Sequence, residues 1–305
     1  MTEKTWIKVV GFCAVALLGV GCNSKDGEGA AASGSAAAAA PEEPNAVAVG
    51  KEIVAATGAN SFSEGKVTAL EGTKVTYEYG EPSETTKKRP TYSVDKGKVF
   101  LLGVPQKAAP KVGDFIIAKG AGSGWTGCEV KSDAGGVLAC EDAYGKTNNV
   151  DPKTAIVPDA ATSADIKQYL ARAAKHRAFD EAAKGAGKPV ARKGWRPKEK
   201  DSVAVEWMVG SWYAASVLKV DGDTITIKWD TKGWPDPAEK NIAQVAPVPT
   251  AAAQVKEGQF VLMHVGDQWP FHKVVSVAKD TAEVIDRDDK KTTANLKNLI
   301  AVGGT

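Results

Sequence analysis

Short runs of alternating apolar and polar residues recur along the chain from about residue 47, and their spacing repeats. Gly50, Gly113, Lys200 and Gly258 serve as origins. Each precedes an alternating run, carrying Ile53, Phe115 and Ile117, Val203 and Val205, or Phe260 and Leu262. Alternation over so short a span predicts half-buried strands. Twelve residues beyond the first three origins stand Phe62, Trp125 and Trp212; eleven beyond the fourth stands Trp269. Five residues past each aromatic is a valine: Val67, Val130, Val217 and Val274. Eight past each valine come Val75, Leu138, Ile225 and Ala282, and ten past come Tyr77, Cys140, Ile227 and Val284. One aromatic and three apolar offsets agreeing in four windows define an internal repeat.

The origins are separated by 63, 87 and 58 residues. The surplus in the middle interval is a different kind of segment. Residues 162–186 are Ala-rich and free of Pro, and place Ile166, Tyr169, Leu170, Ala173 and Phe179 near one stripe. Thr162 or Ser163 can cap its start and Gly185 and Gly187 stop it, which predicts a helix between the second and third copies. Within each copy the local signal is a hairpin. In the third, Ser216 to Lys219 and Asp223 to Ile227 alternate on either side of Val220-Asp221-Gly222. Gly72 and Gly135 take the same place in the first two copies, and Lys279 breaks the pattern in the fourth. A unit of about 50 residues is marginal alone and needs a neighbour to pack against.

The third copy, SVAVEWMVGSWYAASVLKVDGDTITIKWD, resembles the Tudor/Agenet branch of SH3-like barrels. There a strand, a Gly-Ser-Trp-Tyr step, a Val-bearing hairpin and a Trp-Asp strand end recur in this order. The resemblance is strong over 198–248, weaker over 255–302 and 110–158, and faint over 48–104, where Pro82 to Pro90 is an insertion. It implies a mainly β chain: four tandem small SH3-like barrels in two pairs, with one α-helix between the second and third. The expected boundaries are 47–106, 107–158, a linker helix over 159–187, 188–250 and 251–305.

Ahead of the repeats lies an address. Lys4 and Lys8 are followed by an apolar run from Val9 to Val20. It is too short for a permanent span of ~20 residues but suits a signal h-region. It ends Leu18-Gly19-Val20-Gly21-Cys22, which resembles the lipobox of bacterial lipoproteins, with Leu one place earlier than the commonest pattern. The resemblance implies a signal peptide over 1–21 and acylation of Cys22; an uncleaved anchor or a plain secretory signal are the alternatives. Residues 22–46 hold almost no large apolar side chain and read as a flexible, lipidated tether. Asn23 after the cysteine leans toward the outer rather than the inner membrane.

Composition adds exclusions. Thirty-nine Lys+Arg against 37 Asp+Glu leave a net charge of +2, which is no nucleic-acid footprint. Three His and four Cys argue against a zinc protein, and no metal or cofactor is expected. Cys13 lies in the signal and Cys22 is the lipid acceptor, so Cys128 and Cys140 remain. Export favours a bridge between them. A hairpin closing at Gly135 would set Cys128 directly across from Cys140; a register slip would leave two free core thiols.

Catalytic motifs are missing: no G-x-x-x-x-G-K-[ST], G-x-S-x-G or H-E-x-x-H occurs. Gly120 to Gly124 is glycine-rich but joins two strands. His264, Asp267 and His272 could be drawn as metal ligands; the plainer reading is two part-exposed histidines beside Trp269. His176, Arg172, Lys175 and Arg177 read as a solvated helix face. Lys184 to Lys200 carries seven positive charges and reads as a solvated linker or a contact for anionic head groups.

The candidate site is the aromatic set of the third copy: Trp207, Trp212, Tyr213, Trp229 and Trp234, with Asp230 and Asp236 adding charge. In the resembled family such aromatics box a methylated ammonium by cation–π attraction. Trp212 has an aromatic counterpart in every copy, which argues for packing; Trp229 is replaced by Tyr79, Asp142 and Asp286 and is the sharper candidate with Trp207 and Trp234. The expected role is a membrane-anchored binding or scaffold module of the cell envelope and not an enzyme. A cationic peptide, a glycan or a choline-like group would be the ligand; the oligomeric state stays open. A purely structural spacer and an envelope hydrolase are the competing readings.

Overall fold

The structure, a computed structural model, describes residues 46–104, 108–120, 124–189 and 194–303. The signal, the lipobox with Cys22 and nearly all of the tether lie outside them. No helix among the described residues is long and apolar enough to cross a membrane. The chain is mainly β with one long helix.

Strands β1 (Glu52–Gly58), β2 (Ser61–Glu71), β3 (Lys74–Tyr79), β4 (Thr91–Asp95) and β5 (Val99–Leu101) pair in the order β4-β3-β2-β1-β5. The next set is β6 (Phe115–Lys119), β7 (Trp125–Ala134), β8 (Val137–Glu141) and β9 (Thr147–Val150), with an isolated Ile117–Ile156 bridge where a fifth strand would stand. Then come β10 (Ser202–Met208), β11 (Ser211–Asp221), β12 (Thr224–Trp229), β13 (Ala238–Asn241) and β14 (Val245–Pro247), ordered β13-β12-β11-β10-β14. The last set is β15 (Phe260–Met263), β16 (Phe271–Val277), β17 (Thr281–Ile285), β18 (Lys291–Asn295) and β19 (Leu299–Ala301), ordered β18-β17-β16-β15-β19. The first two sets are not separate sheets. Ser61 pairs with Thr126 and Phe62 with Trp125, joining them into one nine-stranded sheet.

The repeated valine is where each set bends. Register shifts fall immediately after Val67, Val130, Val217 and Val274, so the next residue is an unpaired bulge in all four sets. A bulge sharpens the local twist and lets a long strand fold over a small core. The origins feed the same point. Gly50, Gly113, Lys200 and Gly258 all have positive φ, and each donates its N–H to the carbonyl of its set's valine at 2.8–2.9 Å. All four valines are buried. The offsets therefore mark one structural device used four times. The hairpin turn in the third set is tighter than the three-residue loop expected, because the bulge at Leu218 absorbs one residue and leaves Gly222-Asp223 as the turn.

The turn position corrects the cysteine register, because Ala134 pairs with Val137 and the hairpin turns at Gly135-Gly136. Cys140 lies opposite Val130 and Cys128 opposite Ile116, so the two cysteines are diagonal and not directly across. The disulfide still forms, with Cα atoms 5.7 Å apart. At a sequence separation of 12, loop closure stabilises by about 3 kcal/mol on the chain-entropy estimate.

Each set has a small core of its own, such as Ile53, Val67, Val75 and Tyr77 in the first. Two further clusters lie between sets. Val54, Phe62, Ile117 and Trp125 join the first to the second; Ala204, Trp212, Ala246, Leu262, Trp269 and Ile300 join the third to the fourth. The recurrent aromatic is thus a joint between neighbours. Trp269 N–H donates to Trp212 O at 2.9 Å, the counterpart of the Phe62–Trp125 pairing.

Helix α1 (Ala160–Gly185) begins two residues earlier than expected, capped by Asp159, whose Oδ1 accepts the Thr162 N–H at 2.7 Å. The linker helix is also a brace. Ile166 is buried against the first two sets, and Phe179 meets Phe260 of the fourth edge-on at 5.3 Å. The expected solvated face is paired. Arg172 and His176 hold Asp288 at 2.8 and 2.7 Å, and Lys175 holds Asp289 at 2.5 Å. Arg177 reaches Ala143 O and Glu141. Two members of the basic run have partners: Lys188 Nζ donates to Ala243 O, and Arg196 to Gly222 O and Asp223. Arg192 and Lys193 lie outside the described residues.

Candidate functional site

Strand periodicity builds the site. In the third set Val203, Val205 and Trp207 share one face of β10; Tyr213, Ala215 and Val217 share one face of β11; Ile225, Ile227 and Trp229 share one face of β12. The inner members form the core, and Trp207, Tyr213 and Trp229 are where those rows end. Trp234 comes from the loop between β12 and β13. That loop is pinned at both ends. Asp236 Oδ1 accepts the Trp229 N–H at 2.8 Å, and Thr231 Oγ1 donates to Asp267 Oδ2 at 2.6 Å.

The four rings form one slot. Trp234 lies 4.4 Å from Tyr213, 4.6 Å from Trp207 and 5.1 Å from Trp229 between ring centroids. Trp207 and Trp229 are 5.5 Å apart at 78°, and Tyr213 and Trp229 6.5 Å apart at 88°. In edge-to-face contacts of this kind the positive edge of one ring meets the negative face of the next.

The slot holds a cation. Lys240 Nζ stands 5.2 Å from the Trp207 centroid and 5.6 Å from that of Trp229. It donates to Trp207 O at 3.3 Å. Burial pushes its pKa down, partly offset by the Glu206 carboxylate. Sequence reasoning missed Lys240, although a signal existed. In the strand register Lys240 lies opposite Ile225; Val94 lies opposite Val75, Val150 opposite Leu138 and Ala294 opposite Ala282. Those three counterparts are buried and apolar. A lysine therefore occupies a position that the other sets fill with core.

Two expected members are not in the slot. Trp212 is adjacent to Tyr213 on a strand, so the two face opposite sides, and Trp212 is 4% exposed in the joint between the third and fourth sets. Asp230 is exposed and takes part through its backbone, donating N–H to Ala214 O at 3.0 Å. Trp229 is 2% exposed and doubles as core. Its counterparts Asp142 and Asp286 instead cap the following turn through their side chains.

The three residues weighed as metal ligands are each engaged separately. His264 stacks on Trp269 at 4.6 Å, Asp267 binds Thr231, and His272 Nδ1 lies 3.1 Å from Pro270 O. His272 is buried, contrary to expectation, and burial lowers its pKa. No group of three potential metal ligands occurs among the described residues. A cleft of about 1430 Å³ follows the 247–257 connection. Two of its polar side chains serve local turns: Asp201 accepts the Lys198 N–H and Gln259 the Lys256 N–H.

No protein-family model and no curated protein matches the sequence. Among solved structures, the chain is similar to AGDP1 AGD34 of Arabidopsis thaliana at 18% identity and a TM-score of 0.25, covering 42% of this chain and 88% of that one. Tandem Agenet domains 3-4 of ADCP1 match at 20% identity and a TM-score of 0.24, over 42% of this chain and 86% of that one. The four MBT repeats of Drosophila melanogaster Sfmbt, solved with a peptide carrying a methylated lysine, match at 10% identity and a TM-score of 0.16, over 84% and 88%. Likeness at these scores carries no inference about what this chain binds.

Proposed function

We propose that the chain is an envelope lipoprotein, anchored through acylated Cys22 and a tether, that displays four SH3-like barrels of Tudor/Agenet type in two pairs. It works by binding, without catalysis, and its site is the aromatic slot of the third barrel. One observation carries this reading: the slot departs from the repeat at Trp207 and Tyr213. Where the third copy has Trp207, the others have Thr57, Gly120 and Val265; where it has Tyr213, they have Ser63, Thr126 and Pro270. The fold closes without these rings, so their convergence serves something else. Two of the rings, Trp207 and Trp229, already hold an ammonium, and a set of this kind is a receptor for organic cations, each contact contributing ~0.5–2 kcal/mol.

The test is tryptophan fluorescence of the full chain titrated with choline, a trimethyl-lysine peptide and neutral glycans. Saturable quenching by a cation, abolished in Trp234→Ala, is expected. A chain that responds to no ligand, or equally well without Trp234, is a spacer and not a receptor. Loss of acylation and of membrane association in Cys22→Ala tests the anchor.

A further inference from the structure

The slot already contains a charge, and that charge lacks a counter-ion. Lys240 takes part in none of the ion pairs of the described residues. Glu206 is the acid that acts on it, and Glu206 Oε1 is occupied by the Gly210 N–H at 2.8 Å. An unmet donor lies beside it: Trp229 Nε1 is buried without a hydrogen-bond partner. A buried donor left unmade is costly, and more so when it can meet a charged acceptor. The site thus supplies aromatic faces for a cation and two hydrogen-bond donors with no anion to receive them.

An incoming cation cannot share the rings with Lys240, because like charges this close repel. Lys240 must leave. It stands on β13, an edge strand that pairs only with β12, and its long stem lets the ammonium move to the rim while the methylenes keep their packing. A simple cation gains the rings but strands Lys240 outside them. A ligand that carries its own anion beside its cation gives the displaced ammonium a partner.

We propose that the slot, taken as the binding site argued above, selects a zwitterion: a methylated ammonium joined through a short link to a phosphate or carboxylate. Lys240 fills the cation seat in the free protein and becomes the anion's partner in the complex. This explains a lysine at a core position: it weakens the binding of plain cations and favours the zwitterion.

The experiment titrates the full chain with phosphocholine and with choline, following tryptophan fluorescence, in the wild type, Lys240→Met and Lys240→Arg. The wild type should bind phosphocholine about tenfold or more tighter than choline, and Lys240→Arg should keep that preference. Lys240→Met keeps the stem and removes the charge; it should tighten choline, weaken phosphocholine and bring the two within about threefold. Equal affinities in the wild type, or a preference that survives in Lys240→Met, overturn the zwitterion while leaving a cation slot intact. Silence of all three proteins toward both probes overturns the slot itself, and this inference with it. Sedimentation of unacylated Cys22→Ala protein with phosphatidylcholine vesicles assigns the zwitterion to a lipid headgroup. Phosphocholine binding without sedimentation assigns it to a soluble molecule, and either supports the site.

Discussion

Gly127 is where the helix meets the sheet, and a single methyl there tests whether the helix is a brace. A Cβ at Gly127 would fall 2.8 Å from both Cγ1 and Cγ2 of Ile166 and onto Asn60 Oδ1. Ile166 is 0% exposed and β-branched on a helix, so its rotamer cannot swing away. Gly127→Ala must therefore push the helix outward, an overpacking cost of about 2 kcal/mol. Ile166→Ala removes three buried carbons at ~0.8 kcal/mol each and leaves part of a cavity, about 3 kcal/mol in all. If the two contacts are one contact, the costs do not add. The double variant should lose about 3 kcal/mol and not about 5, because the new methyl enters the space the isoleucine vacated. Asn60 must shift in the single and the double variant alike, so its cost cancels in the coupling energy. Urea-unfolding midpoints of the four proteins give the cycle. Additivity to within about 0.5 kcal/mol would mean that Ile166 does not dock on Gly127, and the brace would be refuted.

Lys200 is the only non-glycine among the four origins and holds φ +71°. Lys200→Gly relieves a left-handed side chain at the expense of a looser unfolded chain, and should raise stability by about 0.5–1 kcal/mol, read from the thermal midpoint; a loss would mean that its side chain contributes more than the strain costs. His272 sets an acid limit. Burial lowers its folded pKa, so below the ordinary value of about 6.5 the unfolded chain binds a proton that the folded one refuses. Its share of stability is complete above that pH and falls by up to about 1.4 kcal/mol per unit as pH drops toward the folded pKa. Asp288, held low by Arg172 and His176, acts in the same direction only below about pH 4. Stability profiles from pH 7.5 to 5 should flatten in His272→Gln; identical slopes would show that the imidazole already titrates freely.

Local periodicity made the repeat readable, because the valines, the aromatics and the origins each sit at one place in a recurring hydrogen-bond pattern. What stayed hidden was geometry that inserts a residue or joins distant ones. The second hairpin turns at Gly135-Gly136 and not over Asp133 to Gly135, which is why the cysteines were expected directly across and lie diagonally. Arg172 and Lys175 looked solvated because Asp288 and Asp289 lie 116 and 114 residues away. The fusion of the first two sets runs through Phe62 and Trp125, residues legible as packing but not as a shared sheet edge.

The site divides along the same line. Trp212 could have been excluded beforehand, since neighbours on a strand face opposite ways. Lys240 could have been found by asking which polar residue falls on an apolar row, because Ala238 and Lys240 share the inward face of β13. Aromatic residues alone leave cage and core indistinguishable, as Trp229 shows by being both. A charge placed on a core row is more informative. It costs stability wherever it is not used, and three sister positions show that the fold itself asks for an apolar side chain there. The ammonium in the slot is therefore the stronger sign of function, and the rings around it are what make that charge tolerable when no ligand is bound.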